Sequence, residues 1–434
     1  MKNKKKYIFI ITILLLCSII LYLLNENHGL KESSNNYENN KITKRENMLS
    51  MMIETEANSG NYEMTTRDSW PTDGYVFNTE LSKCENCGEL SWDDANKTVL
   101  MSGNVSDKCY VYFDIYVAPA LADYVKSLYT GTQGENNIYY HDSSLTKGAG
   151  DNSYRYSGAD PNNYVCFGSD ATPCPTDSLY RIIGVFDRQV KLIKATEATS
   201  TLLGTDGAYV SDTGYNWNSS GSVCHNSSGS QNNAIPNVYF ETKLLSNSQL
   251  SLISNNSDCN KWKYSNLNTI NLNTNFIANI GAEWTKKIAM TTWKVGGNTY
   301  ANIAGQSAKI AYQNEITNAA TTNEATEYST KIGLMYASDY GFAAAPSAWT
   351  TNLTSYGDAN IKSVNWMYMG LDEWTISHNV DNNNYDVFCV NHIRGICSYS
   401  PNIYNVAVRP VFSLTSSVNY ASGSGSATDP IVIN

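Results

Sequence analysis

Charge is scarce in this chain. Lys, Arg, Asp and Glu make up 16% of its 434 residues, against about 25% in ordinary soluble domains. Basic residues are the scarcer kind, 30 against 40 acidic, which leaves a net charge of −10. Sequence-independent nucleic-acid binding needs a basic face that neutralises phosphates, so that class is excluded. Histidine is sparse too. His28, His141, His225, His378 and His392 are scattered, and no two have a metal-ligand spacing such as His-x-x-x-His. A mean hydropathy of −0.36 excludes a polytopic membrane protein. What is present also excludes disorder throughout, which goes with few aromatics and high charge. Hydrophobic residues reach 42%, and 31 residues are Tyr. The polar surface must be built largely from Tyr, Asn, Ser and Thr.

The start of the chain sets the compartment. Lys2, Lys4, Lys5 and Lys6 precede an apolar run from Tyr7 to Leu24. The run suits a spanning helix of about 17–25 residues better than a signal-peptide core of about 7–15. No small-x-small cleavage site follows in Asn25–Leu30. The reading is a signal anchor, with a cleaved signal peptide as the second reading. The basic end, 1–6, stays in the cytoplasm and the rest of the chain lies outside the cell membrane. Removing the four lysines from 30 leaves 26 basic against 40 acidic residues, or −14, outside. Partners are then the membrane, through one N-terminal helix, and a protein or glycan ligand, with no nucleic acid.

Cysteine usage fits an oxidising exterior, where disulfides persist. Local pairing is the simplest proposal: Cys166–Cys174, Cys224–Cys259 and Cys389–Cys397, with Cys109 bridged by Cys84 or Cys87, of which Cys84 is the candidate. Sequence alone does not fix connectivity. Zinc at Cys84-Glu-Asn-Cys87 would need two further ligands, and no His is nearby.

The expected architecture is α+β and β-rich. Residues 25–67 read as a polar stalk, in which Lys44 to Asn58 suits a short helix. Short strand-like runs between turn signals from Tyr75 to Tyr116 read as a small antiparallel β-module over 68–118. In it Val111, Phe113 and Ile115 alternate with tyrosines. A short amphipathic helix near 120–130 and a Gly/Asn-rich linker fill 119–163. The last region, 164–434, opens with the clearest hairpin of the chain, Tyr180–Phe186 and Val190–Ala195 around Asp187-Arg188-Gln189. Val238 to Ser254 reads as helix. Lys331–Tyr336, Val364–Met369, Glu373–Ser377, Val406–Leu414 and the segment up to Ile433 read as strands.

Several elements stand in a telling order: that hairpin, the helix near Phe240 to Leu252, Ile332-Gly333-Leu334-Met335-Tyr336 with Ser338-Asp339-Tyr340, Asn365-Trp366-Met367-Tyr368, Glu373-Trp374-Thr375-Ile376-Ser377, and Val408-Arg409-Pro410-Val411-Phe412-Ser413-Leu414 followed by Gly423-Ser424-Gly425 and Asp429-Pro430-Ile431. In this order, 164–434 resembles a broad bacterial domain family of unknown function found on surface and phage-related proteins. That family is similar to the C-type-lectin-like fold shared with formylglycine-generating enzymes. The resemblance implies a C-type-lectin-like domain whose late loops form the ligand-binding face. An oxidase of the formylglycine-generating type would need a reactive cysteine pair five residues apart, whereas Cys389 and Cys397 are eight apart.

Chemistry-bearing patterns are few. Asp372 and Glu373 are adjacent, so on a strand they point to opposite faces and make no carboxylate pair. Asp381 to Asp386 is oxygen-rich, and a calcium alternative would use Asp381, Asn383 and Asp386. No other cofactor is implied. The most informative stretch is 366–405, where Tyr and Trp offer contact area and Asn offers adaptable hydrogen bonds. Within it Tyr385, Asn391, His392, Tyr399, Asn402, Tyr404 and Asn405 are the candidate ligand contacts. Trp366, Trp374 and Phe388 are expected in the core, and Arg409 as a structural hydrogen-bonding residue. The leading expectation is a non-enzymatic extracellular recognition or adhesion protein. The alternatives are a surface hydrolase or cysteine-dependent oxidase, and a structural cell-envelope protein.

Overall fold

The computed structural model describes residues 49–65, 69–71, 73–86, 89–93, 95–102, 108–216, 261–317, 326–381, 386–399 and 406–434, and the backbone of 239–240 and 243–244. The expected anchor, Tyr7–Leu24, lies outside these residues. Among the described residues no helix is long and apolar enough to cross a membrane. Strand, at 33%, outweighs helix, at 21%, so the fold is α+β and β-rich. The chain divides into two compact units, Met1–Val117 and Ala118–Asn434.

Among its described residues the first unit holds seven strands: β1 (Leu49–Glu54), β2 (Tyr62–Met64), β3 (Tyr75–Phe77), β4 (Lys83–Cys84), β5 (Glu89–Asp93), β6 (Thr98–Ser102) and β7 (Cys109–Ile115). One sheet runs β2-β1-β7-β3 with β4 also on β7, and β5 and β6 form a separate hairpin. On β7 the expected alternation is present: Cys109, Val111 and Phe113 are buried while Tyr110, Tyr112 and Asp114 are half-exposed. Two expectations fail here. Lys44–Asn58 is not a helix across its described part, because β1 occupies Leu49–Glu54. Leu49, Met51 and Ile53 fit a period of two as well as a helical face, and pairing on both edges decides for the strand. The polar stalk, 25–67, therefore contains two strands of the module. The module is also not purely antiparallel, since β1 pairs with β7 in parallel, Met51 opposite Val111. Phe113 sits among Trp70, Phe77 and Trp92. With Met51 and Val111 it forms a core of three buried apolar residues. So small a core needs a staple, and the Cys84–Cys109 disulfide supplies it across opposed residues of β4 and β7.

The second unit begins with helix α1 (Leu121–Ser127), within the helix expected near 120–130. Strands β8 (Ile138–Tyr140), β9 (Tyr154–Tyr156), β10 (Tyr164–Cys166), β11 (Leu179–Phe186) and β12 (Gln189–Lys194) follow. Further on come helix α2 (Ala337–Ala343) and strands β13 (Glu373–His378), β14 (Val387–Asn391), β15 (Gly395–Tyr399) and β16 (Val411–Ser413). The main sheet runs β16-β12-β11-β9-β8, with β10 also on β11. Its centre is the expected hairpin, buried on both faces. The stretch expected as a linker, 119–163, instead contributes β8 and β9 to this sheet. Apolar Ile138, half-buried Tyr139 and Tyr140, and buried Arg155 and Tyr156 earn those strands their places in spite of the Gly- and Asn-rich turns around them.

Three other expected elements differ. Lys331–Tyr336 makes only a single β-bridge, Gly333 to Val411, before entering α2. Ser338 to Gly341 lies inside that helix. Asp339 starts it, accepting the Tyr336 N–H at 3.0 Å. Val364–Met369 is a run of turns whose one bridge joins Asn365 to Ala344. Most of Val238–Ser254, expected as helix, lies outside the described residues, and the described backbone pairs Tyr239–Phe240 with Lys243–Leu244 as short strands.

Buried charge threads this core. The Asp339 carboxylate receives Lys191 Nζ at 2.5 Å and faces Arg155 at 3.6 Å, and Arg155 also binds Asp151 at 2.6 Å. Glu315 accepts the N–H groups of Ala337 and Ser338 and the Ser377 hydroxyl. Glu373 and Arg409 form a two-point pair, at 2.7 and 2.8 Å. Arg409 also donates to the Met367 carbonyl at 2.9 Å, a structural part as expected of it. Trp366, Trp374 and Phe388 are buried.

Candidate functional site

Strands β14 and β15 form a hairpin in which Cys389 faces Cys397 and Asn391 faces Gly395. Its turn is His392-Ile393-Arg394. Asn391 builds that turn: its side-chain carbonyl accepts the N–H groups of Ile393 and Arg394 at 3.0 and 2.8 Å. Its amide donates to Asp372 and to the Tyr399 hydroxyl. The Asp372 carboxylate is the hub. It accepts the His392 N–H at 2.9 Å, is bonded to His392 Nδ1 at 2.6 Å, and accepts the Tyr399 hydroxyl at 2.8 Å. Burial pushes the Asp372 pKa up, but the donors of His392 and Tyr399 more than reverse this and hold it below the usual carboxylate value. One anion thus ties both strands of the hairpin to the loop before β13.

A groove of about 500 Å³ lies beside the turn, lined by Tyr300, Thr354, Ser355, Gly357, Asp358, Ile393, Arg394 and Ile396. This falls within the ~300–1,000 Å³ of small-ligand sites. Two glycines bring its walls together. A Cβ on Gly357 would stand 1.9 Å from the Ile393 carbonyl oxygen, and one on Gly395, at φ +87°, 2.4 Å from that of Leu353. Only glycine permits such backbone contact, so the 353–358 loop and the turn interlock. The groove floor is apolar at Ile396, and Ile393 is 66% exposed at its rim. The Tyr300 ring lies over Phe388, and its N–H is fixed by the Asp381 carboxylate at 2.7 Å. Asp358 holds the start of the short helix Ala359–Lys362 by accepting the Asn360 N–H at 2.8 Å.

Three of the expected ligand contacts, Asn391, His392 and Tyr399, are brought together around Asp372. Tyr385, Asn402, Tyr404 and Asn405 lie outside the described residues, as does Asn383 of the calcium alternative. The other two carboxylates of that alternative have their own donors: Asp381 takes the Tyr300 N–H, and Asp386 the Ser398 hydroxyl at 3.2 Å. Among the described residues no three His, Cys, Asp or Glu side chains cluster as a metal site. Sequence reasoning missed Tyr300, Thr354, Ser355 and Asp358, which come from distant segments. The one local signal was the turn-rich Thr354-Ser355-Tyr356-Gly357-Asp358. His392 and Asp372 have the hydrogen bond of a hydrolase dyad, yet among the described residues no hydroxyl or thiol is bonded to His392 Nε2.

Cys166–Cys174 is bonded, as is Cys84–Cys109. Cys224 and Cys259 lie outside the described residues. Cys389 and Cys397, expected as a disulfide, are unbonded here, with their buried sulfurs 2.8 Å apart. Directly opposed strand residues with touching sulfurs need little movement to close. Protein purified from an oxidising compartment and alkylated after denaturation is expected to leave this pair unmodified, and reduction to cost about 2 kcal/mol for so short a loop. Full alkylation of both thiols without reductant would contradict this.

Compared with known proteins, the chain matches no protein-family profile, no curated protein and no solved structure.

Proposed function

We propose that this chain is a membrane-anchored extracellular recognition protein, and that its ligand is a glycan held in the groove beside the β14–β15 turn. The anchor is Tyr7–Leu24, and residues 164–434 supply the C-type-lectin-like part of the second unit. The observation that carries the reading is the groove's content. It combines an aromatic ring, two apolar side chains and the hydroxyls of Thr354, Ser355 and Tyr300, none of which has a hydrogen-bond partner among the described residues. Sugars present this same mixture of apolar ring faces and hydroxyls. The volume suits one or two sugar rings, whereas a stable protein interface buries on the order of 800 Å² per partner. Interlocked walls lower the cost of ordering the site on binding.

The test is binding of the full chain, kept in detergent, to an immobilised glycan series. Binding to a defined subset is expected, and Tyr300→Ala is expected to weaken it about tenfold or more. Absence of binding by folded protein, or a Tyr300→Ala variant that binds like the parent, would overturn the reading.

A further inference from the structure

We infer that the groove selects a sugar carrying a single carboxylate, and that Arg394 is the residue that holds it. This rests on the glycan reading above and adds its chemical class. Arg394 is exposed on the turn between β14 and β15. Its backbone N–H is bonded to Asn391, but among the described residues its guanidinium has no carboxylate within ion-pair distance and no hydrogen-bond acceptor. The buried arginines of this unit are all spent, Arg155 on Asp151, Arg181 on Asn163 and Asp160, and Arg409 on Glu373, while exposed Arg188 sits on the β11–β12 turn away from the groove lining. Arg394 is the one arginine that lines the groove, beside the hydroxyls of Thr354, Ser355 and Tyr300.

Its position also suits the task. Arg394 and Tyr300 line the same groove, so the cation and the ring are both open to one ligand. A ring lying on Tyr300 would direct its carboxylate to Arg394, whose planar fork makes two parallel hydrogen bonds to such a group. Asp358 does not compete, since it caps the Ala359–Lys362 turn and makes no ion pair with Arg394. The remaining hydroxyl donors and acceptors, Thr354 and Ser355, fit sugar hydroxyls.

Charge on the whole chain narrows the class further. At −10 the protein repels polyanions over a Debye length of about 10 Å. One carboxylate in contact with Arg394 gains a local pair, whereas a sulfated or phosphate-rich polymer carries repelled charges beyond it. The selected ligand is thus a uronic-type acidic sugar ending or branching an otherwise neutral glycan.

The experiment measures the full chain against three matched probes: a glucuronate-terminated oligosaccharide, its methyl ester, and a heparin fragment. The acid is expected to bind about tenfold tighter than the ester, with the heparin fragment weakest. In Arg394→Gln the acid is expected to fall to the level of the ester, and Arg394→Lys to recover part of the gap. Equal binding of acid and ester, or a preference that survives Arg394→Gln, would overturn this inference while leaving glycan recognition in place. Failure of acid and ester alike to bind folded protein would overturn both. Tightest binding to the heparin fragment would overturn the single-carboxylate class alone.

Discussion

Replacing Arg409 by leucine is expected to cost the Ala118–Asn434 unit about 3–5 kcal/mol of unfolding free energy, because Glu373 would be left as an unpaired buried carboxylate. Arg409 is 1% exposed and Glu373 2%. Their two-point contact is completed by the bond from Arg409 to the Met367 carbonyl. Burial pushes the Glu373 pKa up, and Arg409 pulls it back. Without the arginine, the carboxyl must take up a proton or the strand must move. The double variant Arg409→Leu/Glu373→Leu is expected to recover much of the loss, since well-packed apolar pairs often match buried ion pairs. Chemical denaturation read by far-UV circular dichroism measures both. A single variant within about 0.5 kcal/mol of the parent would contradict the account. The pair also matters to the site, because Glu373 follows Asp372 directly, and a shift at the start of β13 moves the hub of the His392–Tyr399 network.

Acidification is the second large effect. His378 is buried, and burial, with the Lys261 charge behind it, lowers its pKa from 6.5 to about 4. His141 is likewise held well below 6.5, by burial first and then by Arg155, against an opposing pull from Asp151. The unfolded chain protonates these rings near 6.5 and the native one does not. Their contribution is therefore fully present above that pH and is lost as pH falls from about 6.5 towards 4. His378 alone gives about 2 kcal/mol between pH ~7 and ~5. Glu315 and Glu373 are pushed up by burial and work in the opposite sense, so the comparison with His378→Gln isolates the ring. Denaturation midpoints of the parent are expected to fall more steeply with pH than those of the variant. Parallel pH profiles would contradict the assignment.

The sequence made some of this legible. The β11–β12 hairpin, the alternation on β7 and the helix near Leu121 are local patterns with a clear period. Arg409, inside an apolar run, pointed to a buried partner but did not name Glu373. β1 was hidden because Leu49, Met51 and Ile53 satisfy two periods, and only the parallel partner β7 chooses between them. β8 and β9 were hidden because Gly- and Asn-rich turns around them read as a linker. The site was half legible. Asn391, His392 and Tyr399 lie close in sequence within an aromatic- and Asn-rich stretch. Asp372 as their common anion has no local signature, because it lies in a separate segment ahead of β13 and meets them only through the tertiary fold. The groove's other wall comes from Tyr300 and Thr354–Asp358, joined to the turn by two glycines whose role is a tertiary contact with no local signature.

The most direct test of the recognition groove is hydrogen–deuterium exchange of the full chain with and without a saturating bound glycan. The account predicts slowed exchange in peptides covering 353–358 and 391–396, with Tyr300 in the third protected segment. Protection confined to the Met1–Val117 unit, or to surfaces of the second unit remote from these segments, would contradict it.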